Sequence, residues 1–410
     1  MEIRPILSQL MKSRTGPLLV AVQVAISLAI LVNALFIVQQ RIAVSERPSG
    51  VADERNVGYV TARPLRTLSH PEVLAEQQRE LELIRGIGGV QSVAWTSQMP
   101  LSRSGSSGSV RADVSQTRES ASPSFYTVQT PFISTLGLRL VEGRDFTDAD
   151  LTEFDVNKDT EAEPPAVIIT EALGRALWPG ETRFVGRPFY FGTSGPRATR
   201  VIGVVERLQT QQAQAGEPGE RSVLMPMRIS NPTSKFAIRA EPGRLESALR
   251  DAAEKIRTTS AVPMRVTTRT MTEDRINRYK NEKALAWMLI AVSALLLLVT
   301  VSGIVGMTML RVAQRRKQIG VRRALGARWR DILRYFVTEN LIITTGGIVA
   351  GLLLALGLNR MLIALVDVPR LPLEYLAMGA GALWMLGIAA VYGPAARAAS
   401  ISPAIATRTA

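Results

Sequence analysis

The residue types that most often carry catalysis or bind metals are scarce in this chain of 410 residues. The chain has no cysteine, so disulfides, thiol catalysis and cysteine-ligated metals are excluded. Its one histidine, His70, leaves too few imidazoles for most zinc sites or for a histidine-based triad. Because His70 precedes Pro71 and a run with helical spacing, we expect it at the start of a helix or on the surface.

Three acids, Asp145, Asp148 and Asp150, lie close together in the segment GRDFTDADL. An EF-hand calcium loop needs a glycine at its sixth position and a closing glutamate, and this spacing does not match it. We therefore expect a solvated turn and no metal ion. The sequence also lacks the motifs GxSxG, HExxH and GxxxxGK[ST], so we expect neither an enzyme active site nor a phosphate-binding loop.

The most distinctive stretch is RRKQIGVRRALGARWRDILR, Arg315 to Arg334, which has eight basic side chains and one acid, Asp331. Such a charge could meet nucleic acid, anionic lipid or another protein. The apolar sequence on both sides tethers the stretch to a bilayer, and no nucleic-acid-binding fold is recognisable. Lipid and protein therefore stay open as partners, and no nucleic acid is expected.

Four apolar runs indicate a membrane protein, as does a hydrophobic fraction of 46% beside a net charge of +14. The first run has 22 uncharged residues, 17–38. At ~1.5 Å per residue a helix of that length crosses a hydrocarbon core of ~30 Å. It is longer than a typical signal core and no clear cleavage site follows, so we expect a retained anchor. The predicted transmembrane helices are 17–40, 284–310, 336–358 and 375–393.

The charges that flank these helices predict their orientation. Segments 1–16, 311–335 and 394–410 together hold fourteen basic and two acidic residues. Segment 41–283 holds 33 basic and 30 acidic residues, and the short loop 359–374 holds two of each. Because positive charge resists translocation, we expect both termini and 311–335 in the cytoplasm and the other two segments outside.

Small residues inside the spans are candidates for helix packing. Gly347 and Gly351 form a small-xxx-small pair in the third span, and Gly303 and Gly306 lie in the second. Such residues allow close approach of helix backbones, although glycine is common in membrane helices without this role.

Polar residues inside the spans are expected to face other helices and not lipid, because an unpaired polar group in lipid costs free energy. They are Gln23 and Asn33 in the first span and Glu339 at the start of the third. We expect a nearby arginine on the cytoplasmic side, such as Arg334 or Arg330, to satisfy Glu339.

Between the first two spans the sequence alternates short β-type runs with helical ones, which predicts an α+β domain. We expect two lobes, because the acidic and proline-rich segment 148–165 has the composition of an insertion or hinge. The segment 102–109, SRSGSSGS, has the composition of a flexible loop. Strands are predicted at 58–64, 90–95, 124–129, 166–170, 199–205, 222–227 and 235–240, and helices at 71–87, 171–178, 244–258 and 270–283.

The basic stretch and its surroundings resemble the FtsX-like permease family. In that family a motif R-x-x-E-I-G-[IV]-R-x-A-[LV]-G-A follows the second span, and a glutamate opens the third, as Glu339 does here. TPFISTLGLRLVEGRDFTDAD, AVIITEALGRALWPGETRFVGRP and RVIGVV are similar to a MacB-type periplasmic core domain, and GPAARAASISPAIATR to the family's closing segment. The resemblance implies four spans in a bacterial inner membrane, with a large periplasmic α+β domain between the first two.

The resemblance also implies that 311–335 includes a coupling helix that docks on a cytoplasmic ABC ATPase dimer. The residues carried over by the motif and its neighbours are Arg315, Arg316, Lys317, Gln318, Ile319, Gly320, Val321, Arg322, Arg323, Ala324, Leu325, Gly326 and Ala327. The helix is expected to end at Gly326, since glycine tolerates a left-handed terminating conformation. A basic loop that only sets the topology and touches lipid is the simpler alternative.

Gln318 stands where the family motif has an acid, and this departure suggests one half of a heterodimer whose partner permease keeps the acid, although a homodimer stays open. Only sixteen residues precede the first span, so ATP and magnesium are expected on a separate subunit. The resemblance implies export of a small molecule or peptide, driven by force transmitted across the membrane, through an adaptor and an outer-membrane duct. A lipoprotein-releasing permease and a regulator of a cell-wall hydrolase are the alternatives.

Overall fold

The computed structural model describes residues 15–155, 163–193, 197–231, 233–366 and 370–400. The chain divides into two compact units. We call residues 44–281 the sheet domain, and residues up to 43 together with those from 282 onward the helix bundle.

Four helices are long and apolar enough to cross a membrane: α1 (Thr15–Glu46), α6 (Met271–Gln314), α8 (Trp329–Val366) and α9 (Leu373–Ala399). They confirm the four predicted spans, and each is longer than the apolar run that predicted it. The helix predicted at 270–283 continues without a break into the second span, as expected. A short helix, α7 (Arg316–Ala324), lies between α6 and α8 in the sequence.

The sheet domain is built from two halves. The first has strands β1 (Val57–Pro64), β2 (Val90–Thr96), β12 (Ser234–Ala240) and β13 (Met264–Thr270), with helices α2 (His70–Arg85) and α5 (Leu245–Thr259). The strand order β13-β1-β12-β2 and the sequence order βαββαβ give a ferredoxin-like half. Trp95, Phe236 and Ile84 are fully buried in the apolar layer between its sheet and its helices.

The second half is the long insertion between β2 and β12. Its strands extend the same sheet in the order β5-β11-β8-β10-β9-β4. Thr96 pairs with Val128 where the two halves of the sheet meet, and the backbone bonds Ser97 N to Thr127 O (2.9 Å) and Gln129 N to Trp95 O (3.1 Å) flank this pair. The elements are β3 (Ser106–Ser107), β4 (Val110–Arg111), β5 (Ser124–Val128), α3 (Phe132–Leu136), β6 (Leu140–Gly143), β7 (Thr152–Phe154), β8 (Ala166–Thr170), α4 (Glu171–Leu177), β9 (Pro188–Phe191), β10 (Thr199–Val205) and β11 (Ser222–Ile229).

The predicted strands and helices of this domain are confirmed, but two predictions about its loops are wrong. Segment 102–109 is not wholly a loop, because Ser106 and Ser107 pair with β5. The halves divide near residues 97 and 233 and not at 148–165, where β7 instead pairs with β11. Part of that segment, 156–162, lies outside the described residues. The composition of a segment can indicate a loop. The boundary of a domain half that is completed by strands far along the chain leaves no such local signal in the sequence.

Candidate functional site: the basic helix between the second and third spans

The short helix α7 is bounded by backbone geometry on both sides. Arg315 precedes it with φ −100° and ψ 9°, which breaks the helix that α6 would otherwise continue. At its other end Gly326 has φ +96°, and Ala327 N donates to Arg322 O (3.0 Å) while Gly326 N donates to Arg323 O (3.1 Å). These two bonds form a Schellman motif, which confirms the predicted end of the helix at Gly326.

One face of α7 is held against the helix bundle. Ile319 and Gly320 are buried, and Arg323 Nη1 donates to the carbonyl oxygen of Ala399 at the end of α9 (2.7 Å). The guanidinium of Arg322 lies over the ring of Tyr335 on α8, 5.4 Å from the ring centroid. Since a cation is attracted to an aromatic face at this distance, Arg322 and Arg323 fasten α7 to two different helices.

A concavity of about 160 Å³ lies behind α7. Its floor is apolar, and basic and acidic side chains lie around it; the lining residues are Arg315, Gln318, Ile319, Arg322, Ala327, Asp331, Ile332, Tyr335 and Phe336. Asp331, the third residue of α8, also accepts a hydrogen bond from Arg328 N (2.9 Å), as the N3 acid of a capping box does.

Glu339 lies on α8 with only 2% of its side chain exposed, and two arginines pair with it. Arg311 Nη1 lies 3.3 Å from Glu339 Oε1, and Arg315 Nη1 lies 3.3 Å from Glu339 Oε2. Arg315 Nη1 also donates to the hydroxyl of Tyr335 (2.7 Å). The end of α6, the first residue before α7 and the start of α8 therefore meet at one carboxylate, which we call the Glu339 junction.

The prediction that a nearby arginine satisfies Glu339 is confirmed, but Arg334 and Arg330, the two examples given, are wrong. At about 100° per helical residue, Arg334 points about 140° away from Glu339 and Arg330 about 180° away. Arg311 and Arg315 are four residues apart and so face the same side, but only packing between helices brings them to α8. Tyr335 was not predicted either, although its place four residues before Glu339 on one helix face is a signal that could have found it.

The other face of α7 is open to solvent among the described residues. Arg316, Lys317, Gln318 and Ala324 are exposed, together with Val321 (51% exposed) and Leu325 (83% exposed). Val321 and Leu325 are four residues apart, so they form one small apolar patch with cations around it. A basic helix held from behind, with apolar side chains pointing outward, has the composition of a protein-binding surface.

The predicted intramembrane polar residues Gln23 and Asn33 are bonded to other helices. Gln23 Nε2 donates to Val299 O (2.9 Å), and Asn33 Nδ2 donates to Ala355 O (3.1 Å). Asn340, which was not predicted, is buried beside the Glu339 junction and donates to Gly387 O (3.1 Å). A polar residue inside an apolar run was the signal in all three cases.

The glycines of the third span lie against α1. A Cβ atom on Gly347 would stand 2.7 Å from Ala21 O, and one on Gly351 would stand 2.9 Å from Ala25 O. Both distances are too short for a real Cβ atom, so the absence of a side chain is what lets α1 and α8 pack backbone to backbone. Gly379 on α9 makes a similar close approach to Val32.

The two glycines of the second span differ. A Cβ on Gly303 would clash with Gln23, whereas one on Gly306 would meet no atom of the described residues within 4 Å. The prediction that Gly306 packs against another helix is therefore wrong for the described part of this chain. Residues three apart point about 60° away from each other around a helix, so only one of the pair faces α1.

The remaining candidate residues of the sequence have structural partners. His70 is the first residue of α2, as predicted, but its side chain is only 11% exposed and lies between Glu153 (3.2 Å) and Asp155 (3.8 Å). Asp150 accepts hydrogen bonds from Arg144 (2.7 and 2.8 Å), and these bonds lower the pKa of its carboxyl. Asp148 accepts one from Thr130 (2.5 Å).

Comparison with known sequences now places the chain. Residues 19–256 match the family described as the MacB-like periplasmic core domain, and residues 290–403 match the FtsX-like permease C-terminal family. The chain belongs to the FtsX-like permeases with a MacB-like periplasmic core domain. The basic helix α7 and the Glu339 junction both lie within the matched FtsX-like segment.

Two kinds of curated relative are similar to this permease. The macrolide export ATP-binding/permease protein MacB of Bradyrhizobium diazoefficiens is 29% identical over 57% of this chain and 34% of its own length. The pyoverdine export ATP-binding/permease protein PvdT of Pseudomonas syringae pv. tomato is 32% identical over 30% of this chain and 19% of its own. The chain thus spans about a third or less of the length of these relatives.

Among solved structures, the extracellular domain of the ABC-type transporter YknZ of Gram-positive bacteria aligns with 52% of this chain and all of that domain, with a TM-score of 0.34 and 14% identity. The family and the four apolar helices together make this permease a multi-pass protein of the inner membrane.

Proposed function

We propose that this permease is a subunit of an ABC exporter in which α7 receives the movement of a cytoplasmic ATPase and the spans transmit it to the sheet domain. The observation that carries the proposal is the two-sided character of α7. Its inner face is fixed to α8 and α9 through Arg322 and Arg323, while its outer face presents Val321 and Leu325 with the cations beside them. A helix that is fixed to the bundle on one side and exposed on the other can transmit a displacement from a bound protein to the spans.

The orientation in this proposal follows the placement of charge. The segments 1–16, 311–335 and 394–410 are the basic ones, so α7 faces the cytoplasm with both termini. The sheet domain, in which basic and acidic residues nearly balance, then lies in the periplasm.

The ATPase in this proposal is a separate subunit that binds ATP and magnesium. The sequence of 410 residues contains no GxxxxGK[ST] motif, whereas both kinds of relative are named as ATP-binding proteins as well as permeases. ABC ATPases act as dimers, so two copies of α7 are needed, and a second permease completes the assembly.

The names of the relatives support the class of cargo. They export macrolides and pyoverdine, and we propose that this permease also serves the export of a small molecule or peptide. An adaptor in the periplasm and an outer-membrane channel would carry the cargo onward, and membrane lipids surround the spans.

Gln318 supports a heterodimer. It is exposed on α7, where an acid could pair with neighbouring arginines or with the ATPase, and an amide keeps the hydrogen bonds without the charge. A partner permease that retains the acid is expected to co-purify with this chain. Recovery of one permease species alone would contradict this part of the proposal.

The docking role of α7 can be tested with two exposed leucines. Full-length chain carrying Leu325→Glu is purified from its own cells and compared with Leu65→Glu, in which another exposed leucine (69%, against 83% for Leu325) in the sheet domain is changed. We expect an ABC ATPase to co-purify with the wild type and with Leu65→Glu, and its yield to fall at least tenfold with Leu325→Glu. An unchanged yield with Leu325→Glu would rule out docking through this face of α7.

A further inference from the structure

The orientation of the short helix α7 depends on how it is attached to the rest of the helix bundle. It has nine residues, and isolated helices of that length are marginal in water. Arg315, whose φ and ψ depart from helical values, separates it from α6, although Arg315 N still donates to Arg311 O (3.0 Å) and Ile319 N to Arg315 O (2.9 Å). Residues 325–328 separate it from α8. Its orientation therefore depends on the side chains that attach it to the helix bundle.

Arg315 is the attachment closest to α6. Its Nη1 atom donates to Tyr335 and pairs with Glu339, and its guanidinium also lies over the ring of Tyr335, 5.8 Å from the centroid. All of these partners are on α8. The residue at which α6 stops being helical is thus bound to the next span, so Arg315 holds the point where α6 meets α7, in addition to the attachments that Arg322 and Arg323 make from α7 itself.

Glu339 is the acid on which this arrangement depends. Its two arginines, Arg311 and Arg315, are four residues apart at the end of α6, and like charges at this spacing repel each other. Glu339 is 2% exposed, so water screens little of that repulsion. With a neutral side chain at position 339, the repulsion between the two guanidinium groups would favour a conformation in which Arg315 has left the junction.

We propose that Glu339 is the positioning residue that makes α7 a rigid extension of α6 and α8. Without Glu339 the outer face of α7 stays exposed, but the angle between α7 and the spans is no longer fixed. The proposal rests on the function proposed above, because a fixed angle matters only if α7 transmits force. Glu339 itself touches neither cargo nor nucleotide.

The test measures a distance inside the helix bundle. The chain has no cysteine, so Ala324→Cys and Leu353→Cys place two spin labels at exposed positions of α7 and α8 without further changes. The full-length protein is placed in lipid nanodiscs, and the distribution of distances between the labels is recorded by double electron–electron resonance. We expect one narrow distribution for otherwise unchanged protein.

Glu339→Gln is expected to at least double the width of that distribution. Glu374→Gln is the matched control, since it makes the same change at an exposed acid at the start of α9 and should leave the width unchanged. Arg315→Gln keeps a balanced Arg311–Glu339 pair, so it tests the attachment even if Glu339→Gln fails to fold, and it too should broaden the distribution. The exchange Arg315→Glu with Glu339→Arg should restore the narrow form.

A width that stays at the wild-type value in both Glu339→Gln and Arg315→Gln would overturn the proposal. A second readout separates it from the proposed function. The ATPase should co-purify with the wild type, in which the junction is intact. Glu339→Gln should retain most of that ATPase but lose the export that the ATPase drives. If no ATPase co-purifies with the wild type, the proposed function fails, whereas the distance measurement still decides whether Glu339 positions α7.

Discussion

Arginine side chains hold helix ends in both units of this permease, but the two junctions are built differently. In the helix bundle one carboxylate, that of Glu339, pairs with two guanidinium groups and is 2% exposed. In the sheet domain one guanidinium, Arg275 at the start of α6, binds both oxygens of Glu54 (2.6 and 2.8 Å) and the carbonyl oxygens of Ser45 and Arg47 (3.0 Å each).

The difference lies in charge balance and access to water. The Arg275 junction pairs one cation with one anion, and both side chains remain about one-fifth exposed. Burial works to raise the pKa of Glu54, but the hydrogen bonds from Arg275 and Ser49 and the charge of Arg275 together outweigh it and hold that pKa below its usual value. The Glu339 junction has an excess of one positive charge, and its carboxylate is 2% exposed, with 12% and 19% exposure of its two arginines. We conclude that the first junction tolerates the loss of a member better than the second.

The largest effect is expected for Glu339→Ala. Removing the acid of the junction leaves two half-buried cations without a counter-charge there, and breaking a buried ion pair in this way costs about 3–5 kcal/mol. The free energy of unfolding of the full-length protein, measured by titration with SDS in mixed micelles and followed by far-UV circular dichroism, should fall by that amount. A loss below about 1 kcal/mol would mean that the two arginines find other partners, and the contrast between the junctions would disappear.

Replacing a buried acid that binds no arginine should stabilise the protein, in contrast to replacing Glu339. Glu80 on α2 is 2% exposed, and burial raises its pKa to about 8, with the nearby charge of Glu76 adding to the shift. Between pH 4.5, the ordinary value, and pH 8 the folded protein holds a proton that the unfolded chain has lost. Stability of the first half of the sheet domain should therefore fall as pH rises through this range and level off above it.

Glu80→Gln, which mimics the protonated acid, should remove this slope and stabilise α2 by on the order of 3 kcal/mol at pH 8. The check is hydrogen exchange of peptides from residues 70–85 in the full-length protein, corrected for the intrinsic effect of pH. Glu82→Gln, an exposed change on the same helix, is the control and should leave the slope intact. An equal slope in wild type and Glu80→Gln would show that Glu80 is ionised.

Arg275→Ala is expected to cost less, about 2 kcal/mol, because hydrogen bonds to charged groups contribute about 1.5–3 kcal/mol and the partly exposed Glu54 can turn to water. Hydrogen exchange should rise in the peptides that contain Ser45, Glu54 and residue 275. Arg275→Lys should recover only part of the protection, because an ammonium cannot reproduce the paired bonds to a carboxylate. A loss equal to that of Glu339→Ala would remove the distinction between the two junctions.

The smallest effect concerns the packing beside the Glu339 junction. Gly347→Ala places a methyl group 2.7 Å from Ala21 O and should destabilise the helix bundle by about 1–2 kcal/mol in the same SDS titration. Gly306→Ala adds the same methyl group to the second span in open space, so it should be neutral or stabilise slightly through helix propensity. Equal effects of the two changes would show that close packing on α1 contributes nothing.

The sequence predicted those features that have a local cause. Apolar length predicted the four spans, alternation predicted the strands, and Gly326 predicted the end of α7. It did not predict that Arg311 and Arg315 satisfy Glu339, or that β12 and β13 return after a long insertion to complete the first half of the sheet domain. Both depend on which elements pack together, and a single sequence contains no periodic signal for that.

The central claim is that nucleotide binding to the ATPase moves α7, and that the Glu339 junction transmits this movement to the sheet domain. The direct measurement is hydrogen exchange of the full assembly, with its ATPase bound, in the presence and absence of a non-hydrolysable ATP analogue. In the wild type the analogue should alter exchange in sheet-domain peptides around the Arg275 junction. In Glu339→Gln, with nucleotide binding intact, it should alter none of them. Unchanged exchange in the wild type, or an equal change in both proteins, would contradict the account.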